Sequence, residues 1–187
     1  FRRVLFRSNR VGVFSMLATV HHAQQFGLGF DVVDALTGPL IGRPKSATFR
    51  TADVVGLDTF AHVVKTMADT LPDDPWHRYY AIPEWLKKLI EEGALGQKTK
   101  RGVYQKVGKN IQVLDAASGT YRLSAGEADA AVVEILKNKD VAARFAALHA
   151  STHPHAQFLW AMFRNTFQYC AVHLASIADN ARDLDLA

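Results

Sequence analysis

Apolar residues recur every three to four positions along most of this chain, and the rhythm breaks at glycines, prolines and one β-rich stretch. From Asn9 to Phe26, Val13, Phe14, Leu17, Val20 and Gln24 fall on one side of a helix. Gly27 and Gly29 end it. Asp31 reads as the cap of a short helix, DVVDAL, which stops at Gly38–Pro39. Ser46 reads as the cap of SATFRTADVV, which ends near Gly56. Asp58 reads as the cap of the next helix, with an apolar stripe of Phe60, Val64, Met67 and Leu71. LPDDPWHRYY is a loop or broken turn. Pro83 suits the first turn of PEWLKKLIEEG, where Trp85, Leu86, Leu89 and Ile90 face the core and Gly93 ends the helix.

The period then changes. RGVYQKVGKNIQVLD carries β-formers on both sides of Gly108–Lys109–Asn110, which predicts a hairpin. A lone hairpin is marginal in water, so it must lie on the helices. Ser124 to Glu127 has the spacing of a capping box, with a helix to about Lys137 whose Val132, Ile135 and Leu136 are apolar. Asp140 caps a shorter helix through Leu148, HASTHPH interrupts, and a long helix rich in Phe, Trp, Leu and Ala runs from about His155 to Ala178. RDLDLA at Arg182–Ala187 echoes FDVVDA at Phe30–Ala35, and each follows a long apolar helix, a weak internal repeat.

Composition narrows the class. The 187 residues are 49% apolar and 21% charged, which is globular rather than disordered. A net charge of +4 favours anionic partners without selecting one. The lone Cys170 excludes an internal disulfide and, in an apolar helical run, reads as a buried thiol in a reducing compartment, here the cytoplasm. No apolar stretch reaches membrane-spanning length. No Gly-x-Gly-x-x-Gly follows a strand, and no phosphate-loop lysine is present, so no nucleotide fold is encoded. No Ser or Cys nucleophile is grouped with an evident base.

Taken together, NRVGVFSML, GLGFDVVDAL, GPLIGRPKSATFRTADVVGLD and GQKTKRGVY resemble the C-terminal helical domain of L-3-hydroxyacyl-CoA dehydrogenases, most of all the large bacterial fatty-oxidation proteins. GQKTKRGVY is similar to the family's G-x-K-T-G-x-G-F-Y, with Lys100 where the family prefers Gly and Val103 where it prefers Phe. The resemblance implies a mainly α fold: a helical bundle of the 6-phosphogluconate dehydrogenase C-terminal-domain-like type with a small β-hairpin. It implies residues 1–8 as the end of an upstream region or foreign residues, 9–123 as a first helical domain with the hairpin, 124–154 as a helical connection, and 155–187 as the start of a second, truncated repeat. It also implies a Rossmann domain elsewhere in the protein that holds NAD and a His–Glu pair, an acyl-CoA substrate, and a homo-oligomer, with no nucleic acid and no membrane partner. By itself the fragment is expected to be inactive. The broad apolar side of its last helix is covered by the first helix or by another subunit, and the isolated fragment is expected to self-associate.

Candidate residues carry two readings each. Asn9 is a good helix cap; through the resemblance it matches the asparagine that reaches toward substrate and the catalytic histidine, where an amide orients a neutral partner without adding charge. Pro39 and Pro44 stiffen a connection; Ser46, Ala47 and Phe49 are candidates for one wall of an acyl or pantetheine groove, and Arg43 and Lys45 for solvated charges. Lys98 and Lys100, with Thr99 and Arg101, are either wetted surface or an attractor of CoA phosphates. His149, His153 and His155 flank Pro154 without zinc spacing, and Asp179, Asp183 and Asp185 lack a calcium loop's glycine and terminal Glu. Two competing functions remain: a small basic helical nucleic-acid-binding module using Arg2, Arg3, Arg7, Arg10 and the 98–101 cluster, and a ligand-free helical scaffold.

Overall fold

The computed structural model describes residues 2–178 and 180–182, with side chains from Arg10 onward. It is mainly helical: α1 (Arg2–Gln25), α2 (Phe30–Thr37), α3 (Phe49–Val55), α4 (Leu57–Thr70), α5 (Glu84–Glu91), α6 (Ala130–Lys137), α7 (Val141–Ala150) and α8 (Pro154–Ile177). A three-stranded antiparallel sheet of β1 (Tyr104–Val107), β2 (Asn110–Leu114) and β3 (Tyr121–Leu123) sits between α5 and α6 in sequence. The expected hairpin is β1–β2, in the register Tyr104↔Val113 and Val107↔Asn110. β3, unforeseen, pairs Val113 with Arg122.

α1 begins at Arg2 and passes unbroken through Asn9, so residue 9 lies inside the helix and not at its cap. The helix ends as expected at Gly27: Leu28 N–H reaches Ala23 O (2.9 Å) and Gly27 N–H reaches Gln24 O (3.2 Å), the paired bonds of a left-handed helix stop. Phe14, Leu17, Ala18 and Val20 are buried along α1, while Gln24 is exposed. α8 lies along α1 and covers this stripe. The Phe14 ring stacks on Tyr169 with centroids 3.7 Å apart, and Trp76 meets both rings edge-on. Phe158, Leu159 and Met162 of α8, Val33 and Leu36 of α2, Leu57 and Val64 of α4, and Leu86 and Leu89 of α5 complete one core. Val113 and Leu114 fasten the sheet to it.

Several expected caps are occupied differently. Asp31, Ser46 and Asp58 do not cap their helices; the caps are Gly29, Thr48 and Gly56, none with a side-chain bond. Pro83 is itself the cap of α5. Ser124–Glu127 is irregular, and the cap of α6 is Asp129. For Asp31 and Asp58 a partner distant in sequence outcompetes the local bond. Asp31 accepts both Arg122 Nη atoms (2.7 and 2.8 Å) and the N–H groups of Ala125 and Gly126, clamping the chain after β3 onto α2. Burial pushes the Asp31 carboxyl up, but these donors together outweigh it and hold it below the usual range. Asp140, by contrast, caps α7 as its sequence position suggests.

Candidate functional site

The glycine-, proline- and lysine-bearing stretches 31–58 and 96–104, far apart in sequence, are tied together by three aspartates. Asp34 of α2 accepts the N–H groups of Thr48 (3.0 Å), Phe49 (2.7 Å) and Arg50 (3.1 Å), so a carboxylate from another helix caps α3. Its Oδ2 also accepts the Tyr104 hydroxyl at 2.9 Å. Burial pushes Asp34 up against these four donors, and the same burial, with Asp34 beside it, pushes the Tyr104 phenol up. Asp53, in the last turn of α3, accepts the N–H groups of Val103 and Tyr104, each at 2.8 Å. Burial raises it to about 6 despite those bonds, and Asp34 adds to the rise. Asp58 holds Lys98 Nζ at 2.6 Å with both oxygens.

This arrangement gives a steric reason for two glycines. A Cβ on Gly102 would overlap Asp53 Oδ1 and come within 2.6 Å of Gly96 Cα. A Cβ on Gly96 would overlap the Asp53 carbonyl oxygen, and φ there is +96°. Thr99 closes the turn by accepting from Leu95 N–H and donating to Arg101 O. Much of the motif's polar chemistry is thus spent on holding backbone.

A cleft of about 610 Å³ opens on the outer side of the knot. Arg50, Lys100 and Lys106 line it with Tyr104, Gln97 and Ile111. The Arg50 guanidinium lies 4.2 Å over the Tyr104 ring, which fixes its plane. Lys100 occupies left-handed backbone (φ +59°), a conformation costing about 1 kcal/mol that glycine holds freely. Of the residues expected to touch substrate, Lys100 lines this cleft. Lys98 is held by Asp58. Phe49 is 1% exposed and packs on Phe30 and Trp85, Ala47 is buried, and Ser46 accepts from Thr51 Oγ1. Arg43 is not a solvated charge: it donates to Ser15 Oγ at 2.8 Å. Arg50 and Tyr104 gave no sign in sequence of facing one space; the shared partner Asp34 brings them together.

The second polar cluster lies under the start of α1. The Asn9 side chain is outside the described residues, but Arg10 turns inward. It donates to Tyr169 Oη (2.6 Å) and Asp74 Oδ2 (3.2 Å), and approaches His173 Nδ1 at 3.2 Å. The Asp74 side chain is 1% exposed. An arginine expected on a nucleic-acid face is therefore an interior strut between α1, the 71–80 segment and α8. One turn further in, Asn165 bridges His22 Nε2 (2.9 Å) and Tyr79 Oη (2.6 Å). Burial lowers His22 to about 4, so it is neutral at ordinary pH. The 149–155 histidines serve the fold: His153 Nδ1 accepts His155 N–H and caps α8, His155 Nδ1 accepts Asp129 N–H, and His149 packs on Trp160. Among the described residues no three metal-ligating side chains converge, and no helix is long and apolar enough to cross a membrane. Asp179, Asp183 and Asp185, and with them the RDLDLA repeat after Arg182, lie outside the described residues.

Comparison with known proteins matches residues 6–106, from α1 through β1, to the model of the 3-hydroxyacyl-CoA dehydrogenase C-terminal domain. A Bacillus subtilis protein named as a 3-hydroxyacyl-CoA dehydrogenase is 39% identical over 182 residues, covering 97% of this chain and 23% of its own length. A Deinococcus radiodurans protein of the same name is 41% identical over 101 residues, 54% of this chain and 28% of its own. A Rickettsia prowazekii protein, named as a trifunctional enzyme of a fatty acid oxidation complex, is 31% identical over 101 residues, 54% of this chain and 14% of its own. The chain thus spans about a quarter or less of the length of these relatives, and no solved structure matches it significantly. The family match takes in every segment that the three aspartates tie together, and on that ground the chain belongs to the 3-hydroxyacyl-CoA dehydrogenase C-terminal domain family.

Proposed function

We propose that this chain is the substrate-binding and dimerising part of an enzyme that oxidises (3S)-3-hydroxyacyl-CoA to 3-oxoacyl-CoA with NAD, in cytoplasmic fatty acid β-oxidation. The observation that carries this reading is the family match over residues 6–106, which includes both Asn9 and the knot around Asp34 and Asp53. The chain is a poor holder of NAD itself. A dinucleotide fold needs parallel strands and a glycine-rich strand-to-helix turn, whereas the sheet here is an antiparallel meander on a helical core. NAD and the proton acceptor belong to a partner Rossmann domain of the same protein, and residues 9–123 form the jaw facing it. Residues 124–154 connect, and 155–187 open a second repeat.

Within that division the chain binds, orients and excludes water. Asn9 offers a neutral amide to the substrate carbonyl or to the catalytic imidazole, and the Arg10 strut fixes the turn of α1 from which it projects. Ser46, Ala47 and Phe49 shape the wall behind the acyl groove, while Lys98 and Lys100 stand on the CoA side. The chain alone lacks the proton acceptor and is inactive. In the complete enzyme Asn9→Ala should lower kcat by roughly a hundredfold, the scale for one positioned hydrogen-bonding group, with a smaller change in KM. Unchanged steady-state kinetics would remove Asn9 from the mechanism. Adding the NAD-binding domain in trans should restore oxidation; failure of every such pairing, with both parts folded, would favour a scaffold.

A further inference from the structure

We infer that the cleft between α3, the 96–101 turn and the β1–β2 hairpin is an organic-phosphate site, built for a diphosphate or phosphomonoester carried on an apolar or ring-bearing body. Arg50, Lys100 and Lys106 converge on it from three separate segments. Among the described residues none of the three has a carboxylate within ion-pair distance, whereas their neighbours Lys98 and Arg101 are matched with Asp58 and Glu92. Asp53 also lines the cleft, but its two oxygens already accept the N–H groups of Val103 and Tyr104, and Asp34 likewise accepts those of Thr48 and Phe49. Tyr104 holds the Arg50 fork flat, an orientation suited to paired phosphate oxygens. Ile111 supplies apolar floor, and the cleft volume is within the range of small-molecule sites.

The second, independent observation is Lys100 itself. Its left-handed backbone is required by the turn, since Lys100 N–H returns to Gln97 O at 3.0 Å, and glycine would satisfy that geometry without strain. Among the described residues a lysine there makes no ion pair. A strained position that carries a charge without a counter-charge points to a ligand. The anion site stands on these observations alone. Naming its ligand as the CoA end of the substrate rests on the proposed dehydrogenase reading.

The test is calorimetric titration of the 187-residue chain with pyrophosphate, adenosine 3′,5′-bisphosphate, CoA and phosphate-free pantetheine, at low and high salt. The three phosphate probes should bind, weakening with salt, and pantetheine should not. Lys100→Gly should weaken the phosphate probes about tenfold, the scale of one charge-assisted bond, while raising Tm by about 2–4 °C from relief of strain. Lys106→Gln, on an exposed strand position, should weaken them roughly fivefold with Tm unchanged. Equal affinity of wild type and both variants, or pantetheine binding as well as CoA, would overturn the site. Binding of pyrophosphate and the bisphosphate without CoA would uphold the anion site and assign it to a free nucleotide, leaving the dehydrogenase reading to the Asn9 kinetics.

Discussion

Replacing Asp34 probes the joint between α2, α3 and β1 most directly. Asp34→Ala leaves the buried N–H groups of Thr48 and Phe49 without an acceptor. Each unsatisfied buried donor costs about 1–3 kcal/mol, while the Arg50 N–H and the Tyr104 hydroxyl lie nearer solvent and recover partners. Removing a carboxylate whose charge is disfavoured by burial returns part of the loss. The net destabilisation should be about 3 kcal/mol, a sizeable share of the roughly 5–15 kcal/mol that holds a domain together. Asp34→Asn keeps the oxygen that serves Thr48 and Phe49 and turns only its amide toward Arg50 N–H, so it should cost about 1 kcal/mol. Tyr104→Phe should cost about 1 kcal/mol and lose most of that in the Asp34→Ala background, because the two share one bond. Urea unfolding followed by far-ultraviolet circular dichroism, with the m-value checked for constancy, reads wild type and all four variants. Equal midpoints for Asp34→Ala and Asp34→Asn would show that the cross-helix cap carries no weight.

Gly102→Ala should destabilise by more than about 2 kcal/mol, the scale of core overpacking, because its Cβ has no room beside Asp53. Gly12→Ala, inside α1 with nothing within 4 Å of its Cβ, should stabilise by about 0.5–1 kcal/mol; thermal melts of the two separate steric from helix-propensity effects. His22, lowered by burial to about 4, binds fewer protons folded than unfolded, so its contribution to stability is lost as pH falls from 6.5 to 4. Asp53, raised by burial to about 6, does the reverse: its contribution is greatest in acid and is lost as pH rises from 3.8 to 6. The two oppose each other across pH 4–6, each worth on the order of 2 kcal/mol. His22→Gln should therefore make stability decline with rising pH in that window relative to wild type, and parallel profiles for the two would contradict the assignment.

The helices were readable from spacing because burial follows it: the stripes of α1, α4 and α5 face the core with Gln24 as the exception. Caps at Asp140, Gly27 and Gly93 were readable too, since their bonds are local. Asp31, Asp34, Asp53 and Asp58 were not, because their partners stand 14 to 95 residues away and compete successfully with the nearby backbone. β3 escaped notice at three residues, although Asp115 and Gly119 bracket the turn before it, where Asp115 accepts Ala117 and Ser118 N–H groups. The cleft could not be seen in the chain, as Arg50 and Lys106 meet only after α3 and the hairpin have docked. Sequence did point to Lys100, through its departure from the glycine of the family pattern.

The stacking of Phe14 on Tyr169 and the Arg10 strut to the same residue join positions 159 apart at the strut. A ribosome adding about 5–20 residues per second would need roughly 8–30 s to deliver the second partner after the first. Throughout that interval α1 carries an apolar stripe that α8 has yet to cover, although Asp74, 64 residues on, arrives earlier to pair with Arg10. Synthesis of this stretch of polypeptide therefore creates a long window in which a holdase, or premature aggregation, competes for α1.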